Sequence, residues 1–491
     1  MMKKIWLAAL LLSLLFGASC KKDNTDPTPD DDGRDPAKEI LLRDSTYFYS
    51  LAFSLWEDKL PAPKDDGTGN PDLKAFTNQY KDAEEVLSAL RQIIYQKSGI
   101  DDRFSFIDRA GTVSEEIQQG VYKETGVTPI YLSGVNGEST GNMYIKLVQK
   151  KSPAEAVGLK RGMRVLSMNG DSKLDYDTDQ AQGFKNFYKF MSGETLKLVV
   201  QSPGEQNTKE ITVTGAAYNI DPILSAQVIA VGDKKVGYLA YTSFVNVLSS
   251  NGPNSYYNAL TKVFNDFEAA NIDELVVDLR YNGGGSTNSA ELLANLIAPK
   301  SADKGKMYDY KFNRYYEEEN ISINFDKKNS LNLGRVYFLG TQSTASASEL
   351  VMNVLAPYMT TEIITTSNMG TYGKPVGFFG WPVVNRYADL YITSFKMTNS
   401  AGYGDYFSGL KGNKSDAADG FFFQLGDPNE LMLKEALYHI AYGNYEPKAK
   451  ASSRNSEQNL LKINQVPEIK EYRNNMYIFP DKRIPNLPLK N

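Results

Sequence analysis

The sequence predicts an α/β protein built from several domains, and three features of its 491 residues support this fold class. Apolar residues recur at helical spacing between about residues 37 and 107. Short β-like runs follow, and after about Val236 buried strands alternate with amphipathic helices, which indicates parallel βαβ units. A chain of this length also exceeds what one hydrophobic core usually serves.

The first twenty residues, MMKKIWLAALLLSLLFGASC, have the pattern of a secretory signal. Lys3 and Lys4 precede an apolar run that is short for a membrane-spanning helix. Small residues then lead to Cys20, the single cysteine of the chain. This pattern resembles a bacterial lipoprotein lipobox, which implies cleavage before Cys20 and lipidation of its sulfur. An ordinary signal peptide that contains a cysteine is the alternative.

Three N-terminal segments follow from this pattern and from composition. Residues 1–20 are assigned to a lipoprotein signal peptide, and residues 21–36, which are charged and contain proline, to a flexible tether. Residues 37–113 are assigned to a helical N-terminal domain in which no chemistry is visible. The breaker-rich loop PAPKDDGTGNPD separates its two helical stretches.

Composition excludes several functional classes. The net charge of −5 argues against a nucleic-acid partner. One cysteine and one histidine rule out a cysteine-based zinc site and a histidine-rich metal site, and no cofactor is expected. A Ser-His-Asp triad could use only His439. That residue lies in an apolar helical pattern, so we interpret it as a helix residue without a chemical role.

Residues 114–216 form the next predicted domain, with β-like runs such as VTPIYLS, NMYIKLVQ and TLKLVVQS. Within it, KSPAEAVGLKRGMRVLSMNG resembles a PDZ domain: a short helix of small residues leads through a glycine turn into a strand that ends in Asn-Gly. The resemblance implies a groove that captures a peptide C-terminus by strand addition. VTPIYLS is the candidate for the ligand-binding loop region. A PDZ-shaped spacer that binds nothing is the alternative.

The region from residue 217 to residue 445 shows the strand–helix alternation most clearly. In parallel sheets ligands bind beyond the carboxyl ends of strands, where YNGGGS follows VVDLR and TQSTASASE follows VYFLG. A serine in the second segment would lie near the N–H groups of a helix start, which favour an oxyanion. The glycines could supply another N–H donor. A flexible turn or a phosphate loop is the alternative for NGGGS alone.

A nucleophilic serine needs a base. Lysine is the natural choice in a chain whose single histidine is interpreted as a helix residue without a chemical role. Lys374 stands alone in MGTYGKPVGFFGW, among apolar and aromatic residues that would remove water from its ammonium. The alternative is a lysine whose stem packs on aromatic rings while its charged end reaches water.

Taken in order, SPAEAVGLKRGMRVLSMNG, GYLAYTSF, VVDLRYNGGGS, STASASELV and YGKPVG resemble the S41 family of C-terminal processing peptidases. The resemblance implies a PDZ domain followed by a ClpP/crotonase-like βαβ core with a Ser-Lys dyad. It implies Ser346 as nucleophile and Lys374 as base. The implied oxyanion donors are the N–H of Ala347 and that of Gly284, with Gly283 as the next choice.

Two departures from the family pattern concern the lysine. Phe378 stands where many members carry a glutamine that orients the base, and the segment between Ser346 and Lys374 is a few residues longer than usual. Some other group is therefore expected to orient Lys374. Ser348 and Glu349 fall in the first helical turn and are expected to cap the helix and hold the loop.

The sequence thus predicts a serine endopeptidase that cuts polypeptides near their C-termini. We expect it in the bacterial cell envelope, lipid-anchored to a membrane and facing the periplasm or the cell surface. The alternative is a catalytically inactive, peptide-binding lipoprotein with a PDZ domain. A glycan-binding lipoprotein is a third hypothesis, supported only by the lipobox and by aromatic richness. Residues 446–491 are assigned to a C-terminal extension with no visible function.

Overall fold

The computed structural model describes residues 34–447, 462–464, 466 and 476–477. The predicted signal peptide, with Cys20, and most of the predicted tether lie outside these residues. Across the described ranges, no helix is both long and apolar enough to cross a membrane.

The N-terminal unit contains the two long helices that periodicity predicts. Asp35 accepts hydrogen bonds from the first N–H groups of one helix, and Gly99, with φ of 71°, ends the other. The last strand of this unit joins a sheet of the C-terminal half, so the unit does not stand apart. The elements are α1 (Pro36–Phe53), β1 (Lys64–Asp65), β2 (Pro71–Asp72), α2 (Lys74–Thr77), α3 (Ala83–Ser98) and β3 (Phe106–Asp108).

The second unit is an antiparallel sheet with short helices around its own core. Ser152 caps a four-residue helix that begins at Pro153, as the small-residue motif predicts. The elements are β4 (Val121–Glu124), β5 (Val127–Ser133), β6 (Asn142–Val148), α4 (Pro153–Ala156), β7 (Arg164–Met168), α5 (Tyr176–Ala181), α6 (Lys185–Met191), β8 (Thr195–Gln201), β9 (Thr208–Thr214) and β10 (Ala216–Asn219). In the main sheet, β5, β6, β7, β8 and β9 are neighbours in that order.

The third unit holds a sheet in the order β11-β12-β15-β19-β20, and its last four strands are parallel, as the alternating pattern predicts. Helices cover both faces: Leu275 packs in the core with α7, α8 and α9, whereas Val276 faces α10. The elements are β11 (Ile223–Val231), β12 (Lys234–Tyr241), β13 (Leu248–Ser249), β14 (Gly252–Pro253), α7 (Ser255–Ala270), β15 (Glu274–Asp278), β16 (Gly285–Ser286), α8 (Thr287–Ile297), β17 (Lys306–Lys311), β18 (Ser322–Asn324), β19 (Arg335–Gly340), α9 (Ala347–Leu355), β20 (Thr360–Thr365), β21 (Val376–Val383), β22 (Ala388–Asn399) and α10 (Leu431–Tyr442).

A further sheet lies beside the predicted site and includes the end of the chain. Its order is β16-β24-β21-β22-β17-β18, and β3 pairs with β22. The C-terminal region supplies two strands: β23 (Lys462–Asn464), which joins β5, and β24 (Met476–Tyr477), which lies between β16 and β21.

Candidate active site

Two loops meet at the carboxyl ends of β15 and β19. These strands pair in parallel, so the segments that follow Asp278 and Gly340 leave the sheet side by side. The carbonyl of Asn282 in the first loop accepts hydrogen bonds from the N–H of Ala345 at 3.2 Å and from the hydroxyl of Ser348 at 2.9 Å. The glycine loop and the serine loop are therefore joined directly.

Ser346 occupies a strained strand-to-helix turn. It precedes α9, and its φ of 60° and ψ of −111° are unusual for a residue with a side chain. Strain of this kind costs about 1–3 kcal/mol and persists where the surrounding structure enforces it. The residue is fully buried, and its Oγ has no hydrogen-bond partner within the described chain. The turn thus holds a buried hydroxyl group that makes no structural hydrogen bond within the described residues.

A buried carboxylate ties the serine to the lysine. Glu349 accepts hydrogen bonds from the N–H groups of Ser346 and Lys374, each at 2.8 Å, and from the N–H of Gly373 at 2.7 Å. The hydroxyl of Thr371 is a further donor. Burial raises the pKa of Glu349, and these hydrogen bonds partly offset that rise. The expectation that Glu349 holds the loop is confirmed.

The side chain of Lys374 lies between aromatic rings. Only 2% of the residue is exposed, and its Nζ is 4.7 Å from the ring centre of Phe104 and 4.6 Å from that of Phe378. Since the Ser346 Oγ has no hydrogen-bond partner within the described chain, the two side chains are not hydrogen-bonded to each other here. The backbone N–H groups of Ser346 and Lys374 thus share Glu349 as an acceptor, but the Ser346 Oγ and the Lys374 Nζ form no hydrogen bond with each other.

The three candidate N–H donors differ in what they already bind. The N–H of Gly284 donates to the side-chain oxygen of Asn282 at 2.9 Å. No acceptor for the N–H of Gly283 occurs within the described ranges. Ala347 is the first residue of α9, where N–H groups lack an intrahelical acceptor. The geometry therefore favours Ala347 and Gly283, the second of the two glycine choices.

A cavity of about 400 Å³ adjoins the glycine loop. Gly283, Gly284 and Ser343 form one part of its wall. Other parts come from strands β5 and β6, from α6, and from residues 463, 464 and 466 of the C-terminal region. The cavity thus connects the edge of the second unit with the loops of the candidate site.

Behind the site lies a buried ionic cluster that sequence reasoning missed. Arg280 lies two residues after the end of β15. Its guanidinium donates to Asp278 at 2.8 Å, to Asp419 at 3.0 Å and to Glu430 at 2.7 Å. Arg161 of the second unit also donates to Asp419, at 2.6 Å. All five residues are at least nine-tenths buried. Because most of these five residues lie far apart in the sequence, no local sequence pattern predicts the cluster.

The single histidine is a structural residue. The Nδ1 of His439 lies 2.9 Å from the hydroxyl of Tyr337, and its ring stacks on Tyr445 with centres 4.3 Å apart. It lies on α10, which packs on the sheet face away from α9.

A buried serine at a strained strand-to-helix turn, beside a glycine loop and a buried lysine on an α/β core, defines the class of a candidate Ser-Lys hydrolase. Residues 235–402 match the family described as Peptidase family S41. The similarity to this family thus covers the part of the chain that holds the glycine loop, Ser346 and Lys374.

Two curated relatives are processing proteases by name, and one solved structure shares the fold. The carboxy-terminal processing protease CtpB of Bacillus subtilis is 27% identical over 32% of this chain and 30% of its own length. Carboxyl-terminal-processing peptidase 3 of Arabidopsis thaliana is 23% identical over 45% of this chain and 41% of its own. The chain thus spans less than half of these two curated relatives. A crystal structure classed with the S41 proteases, from Bacteroides fragilis NCTC 9343, shares the fold with a TM-score of 0.65, 24% identity, and coverage of 86% of this chain and 99% of that one.

Proposed function

We propose that the chain is a serine endopeptidase that hydrolyses polypeptides with Ser346 and Lys374. The observation that most strongly supports this proposal is the position of Ser346. It is a strained, buried residue at the start of α9, and its hydroxyl has no hydrogen-bond partner within the described chain. A neighbouring glycine loop and the helix start offer N–H groups for an oxyanion.

The proposed reaction runs in two stages. The Ser346 Oγ attacks the scissile carbonyl while Lys374, as the neutral amine, takes the hydroxyl proton and passes it to the leaving amine. The N–H groups of Ala347 and Gly283 bind the oxyanion. Water then attacks the acyl-serine and loses a proton to Lys374, which returns it to the departing Ser346 Oγ as the acid product leaves. This requires a hydrogen bond between the Lys374 Nζ and the Ser346 Oγ when substrate binds, in place of the unpartnered Oγ seen here.

The proposed substrates are extended polypeptides, cut near their C-termini. The processing activity in the names of the two curated relatives supports this choice, as does the cavity that leads to the glycine loop. We further propose that the second unit acts as a PDZ domain, because β5 already pairs with an added segment of the chain, β23, on the side away from β6. Lipidation at Cys20, outside the described residues, would anchor the enzyme in the cell envelope.

The direct test is hydrolysis of a disordered protein such as casein. Wild type should cleave it, whereas Ser346→Ala and Lys374→Ala should each lose at least about 1,000-fold in kcat/KM, since a nucleophile and its base act as one unit. Ser330→Ala, at an exposed position away from the cavity, is the control and should retain activity. Cleavage by Ser346→Ala at the wild-type rate would reject the proposal.

A second candidate, peptide binding without hydrolysis, has one specific observation in its favour. The Lys374 Nζ lies over the rings of Phe104 and Phe378 and makes no hydrogen bond with the Ser346 Oγ. If this candidate is right, wild type and Ser346→Ala should be equally inactive in the casein assay and should bind peptides alike.

A further inference from the structure

The C-terminal region occupies two places where a substrate would be expected. Its first strand, β23, pairs antiparallel with the edge strand β5, with Lys462 opposite Ser133 and Asn464 opposite Tyr131. The Ser133 hydroxyl also donates to the side-chain oxygen of Asn464 at 3.1 Å. This is the geometry by which an added peptide strand binds a sheet edge.

The contact of this strand extends beyond the backbone. Val466 packs against the apolar core of the second unit, and Ile463, Asn464 and Val466 form part of the wall of the 400 Å³ cavity. Gly283 and Ser343 line the same cavity. The strand therefore takes the place on β5 that a bound polypeptide would use, beside the cavity that leads to the glycine loop.

The second strand, β24, lies at the candidate site itself. Met476 pairs with Gly285 and Tyr477 with Ser286, in parallel, directly after the glycines that offer N–H groups. On its other side Tyr477 pairs with Phe378, four residues after Lys374. The backbone of β24 thus bridges the glycine loop and the strand that follows the lysine.

We propose that these two C-terminal strands are an intramolecular ligand that occupies the substrate path and inhibits the enzyme until a polypeptide displaces them. The near-complete burial of Ser346 and Lys374 agrees with a covered site. The assigned ligand class is an extended peptide segment of this chain, held mainly by backbone pairing. The inhibitory role rests on the proposed peptidase function. The pairing of β23 with β5 does not depend on catalysis.

The test compares three full-length proteins: wild type, Ile463→Pro/Asn464→Pro, and the control Lys462→Ala, whose side chain is exposed. Proline cannot donate to a strand ladder and disfavours β23. The probe is a fluorescent peptide with the sequence NLLKINQVPE of residues 459–468. Because a tethered segment acts at about millimolar effective concentration, its release should tighten binding of the probe by tenfold or more. Far-UV circular dichroism verifies that each variant folds.

Casein cleavage is measured on the same three proteins. At low substrate concentration the proline variant should cut at least three times faster than wild type, and Lys462→Ala should match wild type. Equal probe binding by wild type and the proline variant would overturn the inference. A tenfold binding difference with equal cleavage rates would overturn the inhibitory role. A tenfold difference with no cleavage by any protein supports occupancy and rejects the proposed peptidase function instead.

Discussion

At the scale of single residues, Glu349 does most to position the site. Its carboxylate accepts the backbone N–H groups of both Ser346 and Lys374, so the turn that carries the nucleophile and the segment that carries the base share one anchor. In this chain Glu349 fixes the backbone of Lys374, while Phe104 and Phe378 contact its ammonium. These residues are therefore the candidates for the expected group, other than glutamine, that orients the lysine.

Replacing this anchor should reduce both the activity and the stability of the protein. Glu349→Gln keeps the size of the side chain but turns an amide donor toward backbone N–H groups, which leaves buried donors unsatisfied. We expect kcat/KM for casein to fall by roughly 100-fold and the free energy of unfolding to fall by about 1–3 kcal/mol. Glu318→Gln, at an exposed position, is the control. An unchanged kcat/KM would show that the anchor has no positioning role.

Single residues also mark the limit of sequence reasoning. The motif at residues 344–349 singles out one serine, and the local pattern places it at a helix start, which the structure has at Ser346. The contact of Phe104 with Lys374 joins positions 270 residues apart, and no periodicity signals it. The choice between Gly283 and Gly284 depends on the Asn282 side chain, which only coordinates reveal.

At the scale of elements, the site depends on how β15 and α10 are held together. Arg280 after β15 binds Glu430, and Glu430 also caps α10 through the N–H of Leu433. Hydrophobic periodicity predicts the strands β12, β15 and β19 and the helices α7, α8 and α9, because the apolar pattern is local. It does not predict β23 and β24, since pairing with distant edges depends on register and not on composition.

Removing the arginine from this junction should destabilise the fold. In Arg280→Met the carboxylates of Asp278, Asp419 and Glu430 would lose their shared cation while they remain buried. Uncompensated buried charge costs about 3–5 kcal/mol, measurable as a loss in the free energy of unfolding in urea. Lys262→Met removes a cation from an exposed pair and should cost less than about 1 kcal/mol. A loss of the same size in both variants would contradict the account.

At the scale of the whole molecule, the ionic cluster joins the second and third units, because Arg161 and Arg280 share Asp419. Burial alone would raise the pKa of Asp419 and Glu430. Arg161 and Arg280 outweigh burial at Asp419, and Arg280 outweighs it at Glu430, so the two pKa values lie below their ordinary 3.8 and 4.5. A carboxylate with a lowered pKa adds stability above its ordinary pKa and loses it as pH falls through the lowered value.

Stability should therefore decline in acid below about pH 4.5. Measured by urea unfolding across pH, the wild-type free energy should fall steeply in that range. Glu430→Gln should be less stable at neutral pH and should approach wild type as the solution is acidified. A stability difference between the two proteins that stays constant with pH would contradict this assignment.

The central claim is that Ser346 is the nucleophile of an S41 peptidase domain. The most direct measurement is mass spectrometry of the intact chain, and then of its peptides, after treatment with a serine-reactive fluorophosphonate. We expect one adduct in wild type, located on Ser346, with none in Ser346→Ala and slower labelling in Lys374→Ala. An adduct on Ser343 or Ser348, or equal labelling of wild type and Ser346→Ala, would contradict the claim.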